Sequence, residues 1–374
     1  MNRRPRIAYL LTQDRGGPVD LTVRLATALT ESDAAEVRVF GPPPARGAEL
    51  LNGDFEEISV PRKGDLAAGR RARAVLHAWR PDVVHAQDRR AGLVSASLPR
   101  RKGGPAAVVH TYHGVPDDVS EEWFRGEPSA SPPSPYTRVV LAADAVVART
   151  VRHTLVPAAA MGDFLHTRLR VPAKRLRHID NCVEPLPCLP PVGPVRHLLF
   201  VGLLVERKGV LDLLRALASP GTMPADARLT IVGDGPQRAE VERAAAQSPL
   251  AGRVDVLGFR SDVPAQLAAA DALVLPSTME QQPLVVAEAM MAGKPVLATD
   301  TGGVADMLDA PGATRYLAEP GDVPDLAARL RDLFADPDPA RTGHALAQAA
   351  RVKFDPAVCA RRHLELYQSI LDTR

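Results

Sequence analysis

The sequence predicts an α/β protein made of two Rossmann-like domains with a cleft between them. Three observations carry that expectation. The chain has 374 residues, beyond the usual length of one domain, about 100–200 residues. Short apolar runs alternate with Gly- or Pro-containing turns and Ala/Leu/Arg-rich helical segments, the pattern of parallel sheets covered by helices on both faces. One segment interrupts the alternation: Pro185, Pro187, Pro190, Pro191 and Pro194 crowd a stretch where neither a helix interior nor a central strand can continue. The expected parts are an N-terminal domain over 1–184, a linker over 185–194, a C-terminal domain over 195–353 and a final segment over 354–374.

Taken in order, the first half offers strands at Ile7–Leu11, Val37–Phe40, Val83–His85, Val108–Thr111 and Ala145–Ala148. Val19–Leu29 and Ala67–Trp79 have helical spacing, and Pro81 stops the second. The Pro/Ser/Asp/Glu-rich stretch from Pro116 to Pro135 has no period and reads as a long loop. After the prolines, strands are expected at His197–Val201, Leu229–Val232, Val254–Leu257, Ala272–Leu275 and Pro295–Ala298. Helices are expected at Val210–Ala218, Gln237–Gln247, Val263–Ala269, Leu284–Ala292 and Pro324–Ala335, with an amphipathic helix over Pro356–Leu371. No repeat of solenoid period occurs.

Composition removes several functional classes. Lys plus Arg number 46 and Asp plus Glu 44, a net charge of +2, so no nucleic-acid partner is expected. No apolar run approaches the roughly 18 residues of a membrane span, and Ile7–Leu11 is too short for a signal-peptide core. Cys182, Cys188 and Cys359 match no metal or redox spacing, which fits a reduced, cytoplasmic location. The N-terminal half carries an excess of about six basic residues, including Arg70, Arg71, Arg73, Arg100, Arg101 and Lys102, which keeps peripheral membrane contact open.

In doubly wound sheets, ligands bind where strands end and helices begin, and four such turns suit a phosphate. Gly16-Gly17 allows close backbone approach with N–H groups facing a ligand. Arg207-Lys208-Gly209 puts two cations at a helix start, against the helix dipole, which makes sense with an anion between them. Gly233-Asp234-Gly235-Pro236 is tight, but it does not complete the dinucleotide fingerprint, so a nicotinamide cofactor is not supported. The fourth turn runs from Pro276 to Met290. It places Glu280 in a loop after a buried strand, Pro283 in the first turn of a helix, and Glu288 beyond that turn among apolar neighbours. The amides of Gln282, Leu284 and Val285 would face an anion, and a carboxylate on each side would accept hydrogen bonds from sugar hydroxyls. His113 stands at the end of a parallel strand before Gly114, a site position, with His110 and His85 also at strand ends. No metal-ligand set and no nucleophile elbow occurs.

These turns, in this order, resemble the retaining nucleotide-sugar glycosyltransferases of family 4, which have the GT-B fold. The segments FVGLLVERKGVLDLLRAL, LTIVGDGPQRAEVE, VDVLGFRSDVPAQLAAADALVLPS and EQQPLVVAEAMMAGKPVLATDTGG carry the likeness over most of residues 198–306. RGGPVDLTVRLATAL, PDVVHAQ, HTYHGV, LAADAVVA and HIDNCVE carry it more loosely before that. The resemblance implies transfer of a sugar from a nucleoside diphosphate sugar, UDP first and GDP second, to a hydroxyl of a small-molecule or lipid acceptor. Glu280 would contact the donor sugar, Glu288 the ribose, Lys208 the phosphate and His113 the reaction centre; Gly16 and Gly17 would face the diphosphate. The tail helix resembles the one that crosses back to the N-terminal domain. With cations supplied by Arg207 and Lys208, no metal and no cofactor beyond the sugar nucleotide is expected. The chain departs from the pattern at Leu203, where an Arg is common, at Gln281, where Gly is common, at Val19 and at Cys182. Leu203 and Gln281 motivate a competing expectation, a catalytically silent sugar-nucleotide-binding subunit. A sugar-nucleotide epimerase on the same architecture is a third. The acidic loop with Asp117, Asp118 and Glu121 beside His113 is a candidate for a cationic or polyol acceptor.

Overall fold

The computed structural model describes residues 3–60, 65–98 and 107–373. It divides into two compact units, Met1–Val183 with Phe354–Arg374, and Glu184–Lys353.

Among the described residues, the first unit holds seven parallel strands. These are β1 (Arg6–Leu10), β2 (Glu36–Gly41), β3 (Phe55–Glu57), β4 (Val83–Ala86), β5 (Ala107–Thr111), β6 (His153–Val156) and β7 (Leu176–His178). Their order is β3-β2-β1-β4-β5-β6-β7, so the chain reverses its direction of growth between β1 and β4 and leaves a crevice at their carboxyl ends. The covering helices are α1 (Gly17–Glu31), α2 (Leu66–Trp79), α3 (Arg89–Ala96), α4 (Glu121–Arg125), α5 (Pro135–Thr150) and α6 (Ala159–Thr167). The run Ala145–Ala148, expected as a strand, lies inside α5, and the strand follows it at β6. Helical burial at Thr137, Leu141, Ala145 and Ala148 decides this, with Ser134 capping the helix by accepting Thr137 N–H and Pro135 in its first turn. The expected loop after Pro116 contains α4, capped by Ser120 and ended by Gly126 in the left-handed region.

The last helix, Pro356–Asp372, belongs to this unit and lies against α1. Its Tyr367 hydroxyl is 2.9 Å from that of Tyr9 on β1 and 2.6 Å from His85 Nδ1 on β4, while His85 Nε2 is 2.7 Å from Thr111 Oγ1 on β5. His85 is wholly buried, and burial holds its pKa well below the usual imidazole value. It is therefore neutral, and a neutral ring donates from one nitrogen and accepts at the other. A single chain of hydrogen bonds thus stitches three central strands to the helix.

The second unit, among the described residues, holds six parallel strands ordered β10-β9-β8-β11-β12-β13. They are β8 (His197–Val201), β9 (Arg228–Val232), β10 (Val254–Gly258), β11 (Ala272–Leu275), β12 (Val296–Thr299) and β13 (Leu317–Ala318). Helices α7 (Val210–Ala218), α8 (Arg238–Ala245), α9 (Val263–Ala269), α10 (Leu284–Met291), α11 (Val304–Met307), α12 (Val323–Phe334) and α13 (Pro339–Lys353) surround them. The switch point lies between β8 and β11, both apolar enough to be buried on two faces. The Pro-rich segment forms no helix or strand; Leu189 N–H donates to Ala292 O at 2.8 Å.

Among the described residues, no helix is long and apolar enough to cross a membrane. Arg70, Arg71 and Arg73 lie on α2, while Arg100, Arg101 and Lys102 fall outside the described residues. Tyr367→Phe would leave a nitrogen of His85 and the Tyr9 hydroxyl short of a partner in a dry core. The expected loss is about 1–3 kcal/mol of unfolding free energy, read from denaturant melts followed by a probe in the first unit.

Candidate functional site

Three strand-end turns of the second unit converge on one carboxylate. Glu280 sits in the loop between β11 and α10 with only 7% of its surface exposed. Its Oε1 accepts from Lys208 Nζ and, at 2.8 Å, from Ser277 Oγ. Lys208 ends a short 3-10 turn, Glu206–Lys208, between β8 and α7. The same turn holds the loop through its main chain, since Arg207 O accepts Thr278 N–H at 2.8 Å.

Two glycines make this convergence sterically allowed. Gly209 has φ +64°, and a Cβ there would stand 1.9 Å from Pro276 O. Gly302, just after β12, has φ +50°, and its Cβ would stand 1.9 Å from Glu280 O. Neither contact nor conformation tolerates a side chain. Gly303 N–H then donates to Gln281 O at 2.9 Å, and Thr299 Oγ1 donates to Ser277 O. The β12 turn thus braces the Glu280 loop from the far side.

Behind the loop, α10 starts after Pro283. The amides of Leu284 and Val285 open the helix, where no intrahelical carbonyl can reach them. Leu284, Val285 and Glu288 form its half-buried stripe, whereas Val286, Ala287, Ala289, Met290 and Met291 are buried. Three or four residues apart, these positions share one face, so Glu288 lies one turn along from the helix-start amides. Gln281 and Gln282 are buried beside Glu280, and Gly233 follows β9, its N–H donating to Gly258 O at 2.9 Å. Leu203, in the turn after β8, is 59% exposed, while Arg207 is half-buried. The arrangement puts two cations, helix-start dipoles and two carboxylates on one edge of the sheet, the chemistry for gripping an anion flanked by hydroxyls.

In the first unit, Gly16 precedes α1 with φ +99° and Gly17 begins it. His113 follows β5, and its Nε2 lies 3.1 Å from Gln87 Oε1. Burial, followed by the nearby His110 and His363 rings, pushes its pKa down to about 3. His110 is buried under Gly92 of α3, with its pKa lowered by burial to about 4. Of the acidic loop, Asp118 accepts Ser134 N–H at 3.0 Å and the Thr137 hydroxyl, and so secures the start of α5. Glu121 is 6% exposed and pairs with Arg125 at 2.8 Å. Asp117 is exposed. Asp118 and Glu121, two candidate acceptor-side acids, thus serve local structure. Among the described residues, no group of three or more His, Cys, Asp or Glu side chains is placed to hold a metal ion.

Two family models match. One, described as "Glycosyltransferase Family 4", covers residues 15–185, and the other, "Glycosyl transferases group 1", covers residues 195–336. The chain belongs to the family 4 glycosyltransferases. Among its relatives, the 2-deoxystreptamine glucosyltransferase of Streptomyces kanamyceticus is 37% identical over 149 residues, which are 39% of this chain and 38% of that enzyme. A glycogen synthase of Mycobacterium tuberculosis is 29% identical over 300 residues, 77% of this chain and 69% of the relative. The Anabaena protein HepE, solved in complex with UDP and glucose, superimposes with a TM-score of 0.77 at 21% identity, covering 98% of this chain and 100% of that one. That likeness makes this glycosyltransferase fold GT-B.

The sequence singles out Glu280, Lys208 and the α10 start, which the structure brings together, but not Ser277, the brace at Gly302-Gly303, or Gln87. The paired glycines after a buried strand were a readable signal of close backbone approach. A Ser or Gln at a strand end carries no such signal.

Two outcomes follow from this geometry. Gly302→Ala should destabilise the second unit by about 1–3 kcal/mol and displace Glu280, whereas Gly321→Ala, also at positive φ but with nothing within 4 Å, should cost about 1 kcal/mol and leave Glu280 in place. Denaturant melts and a crystal structure of each variant decide this. His113 should remain neutral throughout the range where ordinary histidines titrate, with an NMR midpoint below pH 5. Because the unfolded ring binds a proton below about pH 6.5 and the folded ring resists it, His113 stabilises the fold at neutral pH; that stability is lost as pH falls from about 6.5 towards 3.

Proposed function

We propose that the chain transfers a hexose from UDP-hexose to a hydroxyl of a small polyhydroxylated acceptor of the aminocyclitol class, with retention at the anomeric carbon. The observation that carries this reading is the part-buried Lys208–Glu280 pair, fixed by Ser277 and placed before the first turn of α10. Lys208, Arg207 and the amides of Gln282, Leu284 and Val285 take the diphosphate, with Gly233 allowing its close approach. Glu280 accepts from hydroxyls of the transferred sugar and Glu288 from the ribose. His113 serves the reacting sugar as a neutral imidazole. The UDP and glucose of the Anabaena protein support the donor class, and the 2-deoxystreptamine enzyme supports the acceptor class. Asp117 and Glu122, exposed on the acidic loop, suit an ammonium-bearing acceptor.

In the step itself, the bond from the anomeric carbon to the phosphate oxygen breaks and its electron pair leaves with UDP. The acceptor oxygen bonds to the same face of that carbon, and its proton passes to the departing phosphate oxygen. Negative charge grows on the diphosphate as the bond lengthens, so fixed cations and dipoles bind the transition state more tightly than the ground state. Protein cations perform the neutralisation, and the reaction is metal-independent.

A thermal-shift screen of UDP-, GDP-, ADP- and TDP-sugars should show a raised midpoint with UDP-hexose first. Lys208→Ala and Glu280→Ala should each lower transfer about 100-fold or more, and a chelator should leave the rate unchanged. Both variants retaining the parent rate would sink the assigned site. Conversion of the donor to an epimer without acceptor would replace transfer by epimerisation, and tight UDP-hexose binding without turnover would mark a silent binding subunit.

A further inference from the structure

One turn grips the residues on both sides of His113. This turn, Gln87-Asp88-Arg89, joins β4 to α3. Asp88 anchors it: its carboxylate accepts Ala91 N–H of α3 at 2.9 Å and, from the loop after β1, the Thr12 N–H at 2.5 Å and hydroxyl at 2.6 Å. Arg89 directs Nε to both oxygens of Asp144 on α5 at 2.9 Å and sends Nη2 to Gly114 O at 3.1 Å. Tyr112 donates its hydroxyl to the same Asp144 at 2.9 Å. Tyr112 and Gly114, the chain neighbours of His113, are thus pinned by one ion pair whose carboxylate is almost fully buried. What is left to His113 is rotation of its own ring.

Gln87 limits that rotation. It is wholly buried, its main-chain N–H donates to Leu10 O at 2.9 Å, and its Oε1 lies 3.1 Å from His113 Nε2. Its Nε2 has no partner among the described residues. We propose that Gln87 is a positioning residue for His113: it accepts the Nε2 proton, holds the imidazole in the Nε2–H tautomer and so presents Nδ1, an unprotonated acceptor, to a sugar hydroxyl. This rests on the placing of His113 at the reacting sugar under Proposed function. A neutral imidazole has one ring proton and two places for it, and the partner of one nitrogen decides the other. An amide oxygen makes that choice without adding charge. A carboxylate in its place would draw a proton onto the ring and turn the acceptor into a donor. The groups that act on the ring charge, His110 on β5 and His363 on the last helix, are imidazoles that oppose protonation.

The test uses the full chain labelled with 15N-histidine, unchanged and as Gln87→Met and Gln87→Glu. Two-bond 1H–15N spectra at pH 7 read the His113 tautomer, and UDP release from UDP-glucose, with water taking the glucosyl group, reads turnover. The unchanged chain should show the Nε2–H pattern. Gln87→Met should give a mixture of tautomers and lower kcat about tenfold, with KM for UDP-glucose within about twofold and the unfolding midpoint kept. Gln87→Glu should give the Nε2–H pattern only where the ring is neutral, raise the pH at which His113 takes a second proton, and so introduce an acid limb in the pH profile, a response that a merely structural side chain would not produce. An Nδ1–H pattern in the unchanged chain, a single tautomer in Gln87→Met, or mixed tautomers with unchanged kcat would each overturn the proposal. The spectra need no turnover, so failure of UDP-glucose as donor strikes the proposed function while the tautomer still decides for or against Gln87.

Discussion

The part-buried pair of Lys208 and Glu280 is the contact on which the second unit's site is organised. Its members come from turns after different strands, and Ser277 supplies a further hydrogen bond to the shared oxygen. A charge pair this dry is held together because removing either member would strand the other in a low-dielectric setting. Holding it there requires three stretches of main chain to lie closer than side chains permit, which is why glycine occupies 209 and 302. Sterics and electrostatics therefore specify the same place from independent directions. The helix-start amides of α10 complete a surface with fixed dipoles, and little of it needs to reorganise when charge develops nearby.

The first unit follows the opposite electrostatic logic. Its strand ends gather His85, His110 and His113, with His363 added by the last helix, and burial is the largest cause holding each ring below the ordinary imidazole range. A cluster of neutral rings offers donors and acceptors without a field of its own.

Much of this was legible in the residues. The alternation of apolar runs and helical segments gave the doubly wound class, since buried parallel strands such as β8 and β11 are apolar without a break. Glu288 was legible because a carboxylate among Val285, Val286, Ala289 and Met290 has no reason to be there unless its helix has an open stripe. Ala145–Ala148 misled because a short Ala/Val run has no period of its own; only the spacing from Thr137 to Ala148 and the Ser134 cap reveal the helix. The edge strands β3, β7 and β13 are two or three residues long, too short to show alternation. The acidic loop read as a candidate acceptor site, yet Asp118 and Glu121 are held by partners that composition cannot show. Gln87 was invisible for a related reason: its meaning lies in a ring 26 residues away.

The hydrogen bond between Tyr9 and Tyr367 spans 358 positions of the chain. On the ribosome, at roughly 5–20 residues per second, the first of these tyrosines waits some tens of seconds for the second. The unit begun first is therefore completed only after the unit encoded within it, because its central strand lacks one of its covering helices until Pro356–Asp372 has been made. The unit encoded in the middle can close its own core before then. In the cell this order exposes a half-covered sheet to chaperones and proteases while residues 184–353 are being made.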